Sequence, residues 1–195
     1  MDSWGRRYNF LIYWDMNQKD VIFISGNQNK INNLRKYLGY SIPYRSIELT
    51  EIQSLDLEEV VRYKAENAYS VIWTPVLVED SALECTTLWR LPWTFIKFFI
   101  EELWLEKLCH LIWDERWAIA RTVFDYYDGN RHYFFEGKLE WNIAKEPLWE
   151  DGFAWDKIFI PHWSDRTTAQ MNTEEYEKFY LAVKPIEQVK LFLIS

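Results

Sequence analysis

The chain has 195 residues, 49% of them hydrophobic and 27% charged, which suits a single globular domain with a sizeable core. Its formal net charge of −8 argues against a surface for nucleic acid or for an anionic membrane. Two cysteines, Cys85 and Cys109, are too few for a disulfide framework or a zinc site, and the apolar run near the start is too short for a signal peptide or a membrane span, so we expect a cytoplasmic protein.

Apolar patterns predict alternating strands and helices from residue 21 onward, after an N-terminal extension at residues 1–20. The clearest helix covers residues 56–72, where Asp56 caps the first turn and an apolar face follows. Strands are predicted at residues 21–24, 44–49, 76–78, 118–127, 132–138 and 157–160, and helices at 28–38, 56–72, 94–102, 106–112, 173–179 and 186–193. This order predicts one α/β domain with a mixed sheet over residues 21–195.

The loop between the first strand and the first helix has the composition of an anion site. Ser25, Asn27 and Asn29 are small or polar, and Lys30 adds a mobile positive charge. Free backbone N–H groups and the helix dipole favour phosphate at such a turn. The motif is neither a Walker loop nor a dinucleotide fingerprint, and an ordinary turn with a solvated lysine is the alternative.

Two adjacent carboxylates follow the apolar run at residues 76–78, so we expect Glu79 and Asp80 at the lip of the sheet. Mg²⁺ prefers oxygen ligands and usually takes one or two carboxylates together with phosphate oxygens. A carboxylate beside a ligand can also act as a general base. Glu51, just before the long helix, is a further candidate ligand. The alternatives are a carboxylate pair that caps a turn and a plain loop carboxylate.

Two lysines and an aromatic turn complete the set of candidates. Lys64 and Lys97 either clamp phosphate or are snorkelling surface residues. Phe153 and Trp155, with Asp156, can sandwich and hydrogen-bond a flat base, since stacking contributes about 1–3 kcal/mol per base. The alternative is an aromatic core turn. Sites for phosphate, metal and base together indicate a nucleotide, and the adjacent carboxylates suggest that it is hydrolysed.

Taken in chain order, these motifs resemble the inosine/xanthosine triphosphate pyrophosphatase family, which removes non-standard purine nucleotides. The matching stretches run from about residue 21 to residue 193 and read SGNQNK, TEIQ, EEVVRYKAENAY, PVLVEDSAL, LPWTFIKFF, ARTVFDYYDG, GFAWDKIFIP and TAQM. The resemblance implies an α/β fold with an elongated, mixed, twisted sheet flanked by helices in two lobes around a central cleft. It also implies a homodimer that hydrolyses ITP, dITP or XTP to monophosphate and pyrophosphate with Mg²⁺.

The resemblance assigns roles to the residues that match the family's motifs. It implies that Asp80 activates the attacking water, that Lys30 and Glu79 assist catalysis, and that Glu51 and Asp80 hold Mg²⁺. The implied substrate contacts are Ser25, Asn27, Asn29, Lys30, Lys64, Ser81, Lys97, Phe153, Trp155 and Asp156.

The chain departs from the family near its C-terminus. The family's Ser-His-Arg, which reads the oxygen-bearing edge of the purine, falls on Tyr180-Leu181-Ala182, and the family lysine just upstream falls near Tyr176. Tyr180 and Lys184 are candidates to replace the lost contacts. The preferred base is therefore open, and two alternatives stand: a nucleotide-binding protein without turnover, and the same chemistry on a different base.

Tryptophan and glycine occur in abnormal numbers. The chain has 12 Trp and 6 Gly, whereas about 7% glycine, or roughly 14 residues, is usual. Trp73 follows a helix where a left-handed glycine belongs, and Trp93 follows Pro92 as the glycine of a Pro-Gly turn does. Family glycine positions hold Trp73, Trp89, Trp93, Trp141, Trp149 and Trp163, and turn-like places hold Trp104, Trp113 and Trp117.

Only Trp155 falls on a family tryptophan. We therefore hypothesise that one codon, UGA, is read as glycine in the native host and stands as tryptophan in this sequence. A bulky residue forced to positive φ costs about 1–2 kcal/mol per site, which several such sites would multiply. The alternative is a genuine tryptophan-rich surface for sugars or protein partners.

Overall fold

The structure, a computed structural model, describes residues 19–149, 152 and 154–195. The described residues form seven strands, which are β1 (Ile22–Ile24), β2 (Tyr44–Arg45), β3 (Val76–Cys85), β4 (Pro92–Trp93), β5 (Trp117–Tyr127), β6 (His132–Ile143) and β7 (Phe159–Pro161). Five helices are α1 (Gln28–Leu38), α2 (Leu57–Ile72), α3 (Ile96–Leu111), α4 (Thr173–Val183) and α5 (Ile186–Leu193). The prediction for residues 1–18 lies outside the described residues.

The helix ends follow from local sequence. The side chain of Asn27 accepts hydrogen bonds from two backbone N–H groups of the first turn of α1, and Asp56 does the same for α2. Gly39 ends α1 with a left-handed φ of 79°. Trp73 ends α2 in the same left-handed region, with φ 51°. The Asp56 cap and the ends of both helices agree with the sequence prediction, whereas the Asn27 cap was not predicted.

All seven strands form one mixed sheet in the order β2-β1-β3-β5-β6-β7, with β4 paired to β3. β1 runs parallel to β2 and β3, and the other pairings are antiparallel. The whole length of β3 pairs with β5, from Val76 opposite Tyr127 to Cys85 opposite Ala118. The predicted mixed sheet flanked by helices is confirmed.

Two buried clusters of apolar side chains cover the two faces of the sheet. Successive side chains of a strand point to opposite faces, and Leu77 of β3 belongs to one cluster while Val76 and Val78 belong to the other. The smaller cluster packs β1 and β3 against α2, through Val61 and Ala65. The larger cluster unites the sheet with α1, α3, α4 and α5.

Several predicted boundaries differ from the structure for identifiable reasons. The strand predicted at residues 44–49 ends at Arg45, because its partner β1 ends at Ile24 and register stops there. The strands predicted at 76–78 and 132–138 continue to Cys85 and Ile143, since long antiparallel pairing with β5 overrides their polar residues. The helix predicted at 173–179 likewise continues to Val183.

Candidate functional site

A cavity of about 990 Å³ lies along one edge of β3. On this edge β1 pairs with β3 only at Val76 and Leu77, and β4 pairs with it only at Leu83 and Glu84. The middle of β3 therefore faces the cavity between these two short partners. The predicted site residues that line this cavity are Ser25, Asn27, Asn29, Lys30, Glu51, Lys64, Glu79, Asp80, Ser81, Lys97, Trp155, Asp156 and Tyr180.

The expectation that Glu79 and Asp80 lie at the lip of the sheet is wrong. They lie in the middle of β3, opposite Phe124 and Val123 of β5. The sequence misleads here because the apolar run ends at Val78, while the hydrogen-bonded pairing with β5 continues for seven more residues to Cys85. The cleft arises from the gap between β1 and β4 instead of from the end of β3.

The loop before α1 lines the cavity, but its backbone N–H groups are largely engaged. The N–H groups of Asn29 and Lys30 donate to Oδ1 of Asn27, at 3.0 and 3.3 Å, and the N–H of Asn27 donates to Oγ of Ser25 at 3.1 Å. The expectation of free N–H groups is therefore wrong for these three residues, because asparagine and serine cap the helix themselves. The dipole of α1 and the ammonium group of Lys30 remain as attractions for an anion.

Glu79 is a carboxylate held inside the protein by two cations. Its side chain is only 1% exposed, and its Oε1 lies 3.5 Å from Nζ of Lys30 and also accepts a hydrogen bond from Nζ of Lys184. Burial raises the pKa of Glu79, but the charges of Lys184 and Lys30 outweigh it and lower that pKa to about 2. Burial and Lys30 lower the pKa of Lys184, against the opposing effect of Glu79. Glu79 is therefore ionised at neutral pH.

Asp80 points to the other face of β3, toward α2. Nζ of Lys64 lies 3.1 Å from Oδ2 of Asp80 and 2.7 Å from Oε1 of Glu51, and the N–H of Ser81 donates to Oδ1 of Asp80 at 2.8 Å. Burial raises the pKa of Asp80, but Lys64 and Lys30 outweigh it, so that pKa is below its ordinary value. For Lys64, burial lowers the pKa, but the carboxylates of Asp80 and Glu51 raise it by more, so the net shift of this pKa is upward.

The carboxylates of Glu51, Glu79 and Asp80 are suitable ligands for a hard divalent cation. Oε2 of Glu79 is buried and has no hydrogen-bond partner, so it is an acceptor that the protein leaves unused. Within the described residues, no group of three His, Cys, Asp or Glu side chains could hold a metal alone. Mg²⁺ commonly takes one or two carboxylates and completes its shell with water and phosphate oxygens, so the residues present fit such an ion.

The far end of the cavity is aromatic and carries one buried carboxylate. Asp156 is 6% exposed, and its Oδ1 accepts from Oγ1 of Thr168 at 3.3 Å while its Oδ2 lies 3.5 Å from the hydroxyl of Tyr176. Trp155 is half-buried and packs on Phe159, with ring centroids 5.4 Å apart. A flat heterocycle with N–H donors would find both stacking and an acceptor here.

Tyr180 lies in the wall of the cavity and stacks on Tyr37, with ring centroids 5.0 Å apart. Burial raises the pKa of Tyr180, and Glu79 adds to that effect, so its hydroxyl is neutral. Lys97 lines the cavity from an exposed position, with Oε1 of Glu101 3.8 Å from its Nζ. Phe153 lies outside the described residues.

Two cavity residues make contacts that the sequence did not predict. Lys184 follows α4 and was named only as a possible replacement for a lost base contact, yet it binds Glu79 and lies 3.1 Å from Oγ of Ser81. Thr122 of β5 contacts Ser81, with 3.1 Å between the two hydroxyl oxygens. Side chains of β3 alternate between the two faces of the sheet, so the sequence could have placed Glu79 and Ser81 on the same face.

Among the described residues, no helix is both long and apolar enough to cross a bilayer. The cysteines Cys85 and Cys109 are buried and free. Burial raises the pKa of both thiols, to about 12 and about 11, so neither is a reactive thiolate at neutral pH.

Comparison with known proteins agrees with this architecture. The sequence profile of the Ham1 family matches residues 21–189. The dITP/XTP pyrophosphatase of Thermococcus kodakarensis is 34% identical over 160 residues, which cover 80% of this chain and 86% of that protein. Inosine triphosphate pyrophosphatase 2 of Trypanosoma cruzi is 34% identical over 176 residues, which cover 87% and 90%.

Solved structures show the same fold. A HAM1 protein from Coxiella burnetii superposes with a TM-score of 0.75 at 23% identity, over 89% of this chain and 97% of that chain. The Ham1 protein of Staphylococcus aureus superposes with a TM-score of 0.72 at 25% identity, over 89% and 97%. With its sequence, sheet and cleft in agreement, the chain belongs to the Ham1 family.

Proposed function

We propose that this protein is a nucleoside triphosphate pyrophosphatase that hydrolyses ITP, dITP and XTP to the monophosphate and pyrophosphate. A nucleoside triphosphate substrate is consistent with the family, and the relatives named above are called dITP/XTP and inosine triphosphate pyrophosphatases. The observation that carries the proposal is that one cavity unites an anion-attracting helix terminus, two ionised carboxylates with three lysines, and an aromatic end with a buried acceptor.

The triphosphate is proposed to lie between α1 and β3. Ser25, Asn27 and Asn29 would hydrogen-bond it beside the positive end of α1. Lys30 and Lys64 supply buried or half-buried positive charge, and Lys97 adds charge at the exposed rim. Because these cations line the cleft, they would stabilise negative charge that develops on the phosphate oxygens.

Mg²⁺ is the proposed cofactor, with Glu51 and Asp80 as its protein ligands. When bound, the ion would neutralise phosphate charge and make a bound water more acidic. Asp80 is kept ionised by Lys64 and is the proposed acceptor for the proton of the attacking water. Glu79 and Ser81 complete the polar wall from the opposite face of β3.

The base is proposed to stack on Trp155, with Asp156 accepting a hydrogen bond from a ring N–H. Phe153 is proposed to supply the second aromatic surface. At Tyr180 the chain departs from the family's Ser-His-Arg, and a buried, neutral tyrosine offers different chemistry from a histidine and an arginine. This observation favours one further candidate, which is the same hydrolysis on a different base.

Two properties of the whole protein are part of the proposal. We propose a homodimer, as the family resemblance implies. We also propose a cytoplasmic location, which two free and buried cysteines suit because a reducing compartment keeps thiols unpaired.

The test is pyrophosphate release with Mg²⁺ from ITP, XTP, dITP, GTP, ATP and the pyrimidine triphosphates. Selective release from ITP, dITP or XTP supports the proposal. Selective release from a pyrimidine triphosphate supports the different-base candidate instead. A folded protein that binds ITP but releases no pyrophosphate from any of them would identify a binding protein and overturn the enzymatic role.

A further inference from the structure

Lys184 occupies a fixed position between two helices. It is the C-terminal cap of α4, with an extended backbone at φ −105° and ψ 122°, and its N–H donates to the carbonyl of Tyr180. Pro185 follows and begins α5. The carbonyl of Lys184 accepts from the N–H of Ile186 at 2.8 Å, so the backbone on both sides is held by hydrogen bonds. This junction aims the side chain at β3.

The ammonium group of Lys184 joins two residues of the acidic strand. It contacts Oε1 of Glu79 and lies 3.1 Å from Oγ of Ser81, and its side chain is only 12% exposed. On the other face of β3, Lys64 contacts Asp80 and also Glu51. Each of the two adjacent carboxylates is therefore paired with a half-buried lysine, Lys184 for Glu79 and Lys64 for Asp80.

This contact involves only one of the two carboxylate oxygens of Glu79. Oε1 is shared by Lys30 and Lys184, whereas Oε2 is buried without a partner. A buried acceptor without a donor is unfavourable unless something else occupies it, so its orientation needs a force that holds it. The ammonium group of Lys184 provides that force.

We propose that Lys184 is a positioning residue for the pyrophosphatase reaction, which holds the side chains of Glu79 and Ser81 in place in the wall of the cleft. This inference rests on the proposed function. Lys184 itself is not proposed to contact phosphate or to transfer a proton. It acts through Glu79 and Ser81.

The test compares Lys184→Met and Lys184→Arg with the wild type, using kcat, KM and the melting temperature. Lys178→Met is the matched control, since Lys178 is exposed on α4. We expect Lys184→Met to lower kcat by about tenfold to a hundredfold, as misplacement of a catalytic group does, and Lys178→Met to leave it unchanged. Lys184→Arg keeps the charge and the fold, but its planar guanidinium cannot occupy the same point, so kcat should fall at a native melting temperature.

Wild-type kcat in both Lys184 variants would overturn the proposal, and so would a loss that only matches the fraction unfolded. If Lys184→Met does not fold, Lys184→Arg decides by the same criteria. If the wild type hydrolyses no triphosphate, the proposed function fails, and calorimetric ITP binding decides for Lys184. Weaker binding in Lys184→Arg than in Lys178→Met would support positioning, and equal binding would overturn it.

A second inference rests on the backbone and is independent of the site. Among the described residues, positive φ occurs at the glycines Gly39, Gly129 and Gly152, and otherwise only at the tryptophans Trp73, Trp89, Trp93, Trp104 and Trp149. Residues with a bulky side chain rarely adopt positive φ, and no other residue type does so here. Tryptophan at all five positions is not expected by chance.

Two of these conformations are close to exclusive to glycine. Trp104 has φ 62° and ψ 160° and interrupts α3 at that point. Trp89 has φ 65° and ψ −77°. Neither lies in the left-handed helical region, which asparagine and aspartate can also occupy. Trp73, Trp89, Trp104 and Trp149 are also among the most exposed large side chains, so their packing offsets little of the strain.

We infer that the native protein carries glycine at Trp73, Trp89, Trp93, Trp104 and Trp149, because its host reads their codon as glycine. Backbone conformation gives no such argument for Trp141, a buried residue of β6. Trp155 remains tryptophan. In the gene, the five positions should share UGA, whereas Trp155 should have a different codon.

Peptide mass spectra of the protein from its native host provide the direct test. Glycine at positions 73 and 104 is expected, and tryptophan at both would overturn the inference. The physical basis is tested by comparing Gly and Ala at Trp73, with Trp113 as matched control, since the two are 77% and 76% exposed and only Trp73 has positive φ. Trp73→Gly should melt higher than Trp73→Ala and Trp113→Gly should not exceed Trp113→Ala; equal behaviour at both positions would overturn the argument.

Discussion

The ammonium group of Lys64 lies 3.1 Å from Oδ2 of Asp80, so a helix residue and a strand residue sixteen positions apart form a half-buried ion pair inside the cleft. Burial by itself raises the pKa of Asp80, and Lys64 is the largest influence that lowers it. The charge of the proposed catalytic carboxylate therefore depends on α2.

Lys64→Met should move the acid limb of the pH profile of kcat/KM to higher pH. The variant removes the main charge that lowers the pKa of Asp80 and leaves the burial that raises it, so the acid limb should move to higher pH. Lys107→Met, on the exposed face of α3, is the control. An unshifted acid limb in Lys64→Met would show that Asp80 does not govern it.

Asp80→Asn should nearly abolish turnover and leave nucleotide binding. The amide keeps the size and one acceptor but cannot take a proton, so kcat should fall by about 10²–10⁴-fold, which is the usual contribution of a general base. Stopped assays of pyrophosphate release and calorimetric titration with ITP measure the two properties. Asp114→Asn, in an exposed loop, should retain wild-type kcat, and an active Asp80→Asn would remove Asp80 from its role.

Trp155→Ala should weaken substrate binding more than it slows the chemical step. Loss of base stacking is worth about 1–3 kcal/mol, which corresponds to a rise in KM of roughly 5-fold to 150-fold. Trp155→Phe keeps an aromatic face and should lie between the two. Trp113→Ala is the control for loss of an exposed indole. A KM equal to that of the wild type would show that the base does not stack on Trp155.

Asp125 should make the protein less stable as pH rises through the mildly acidic range. It is fully buried, its Oδ2 lies 2.7 Å from Nδ1 of His132, and its Oδ1 has no partner. Burial raises the pKa of Asp125 from 3.8 to about 6, because it outweighs the lowering effect of His132. The folded state therefore binds more protons than the unfolded state between these two values, so its contribution to stability is present below about pH 4 and is lost as pH rises through 6.

Asp125→Asn removes this titration and keeps an acceptor for His132. The melting temperature of the variant minus that of the wild type should increase from pH 4 to pH 7, by an amount equivalent to at most about 3 kcal/mol. Asp114→Asn, in an exposed loop, is the control measured at the same pH values. A flat difference for Asp125→Asn would mean that folding does not raise the pKa of this carboxyl.

Local signals in the sequence predicted the elements that depend on neighbours along the chain. The bounds of α1, with Gly39 after it, follow from capping and from a left-handed glycine, and the Asp56 cap of α2 is equally local. The left-handed geometry at Trp73 was predicted in the same way. Elements that depend on distant pairing were less accurate, and β4 was missed because two residues carry no periodicity.

In the candidate site, too, the sequence predicted some features and the tertiary structure decided others. Its residue types were legible because chemistry restricts them: carboxylates for a metal, lysines for phosphate, an indole for a base. The burial of Glu79, the capture of its Oε1 by Lys184 and the engagement of the Asn27 loop were not legible. The first two depend on residues that only folding brings together, up to 105 positions apart, whereas the Asn27 loop is engaged by side chains two or three positions away.

The sequence alone thus determined the class of fold, the family resemblance and the residues that meet in the cleft, because these follow from local propensity and from motif order. Tertiary structure alone decided where the cleft lies, since it opens where β1 and β4 leave the edge of β3 uncovered. It also decided which lysine neutralises which carboxylate, because side chains of one strand alternate between faces that different helices cover.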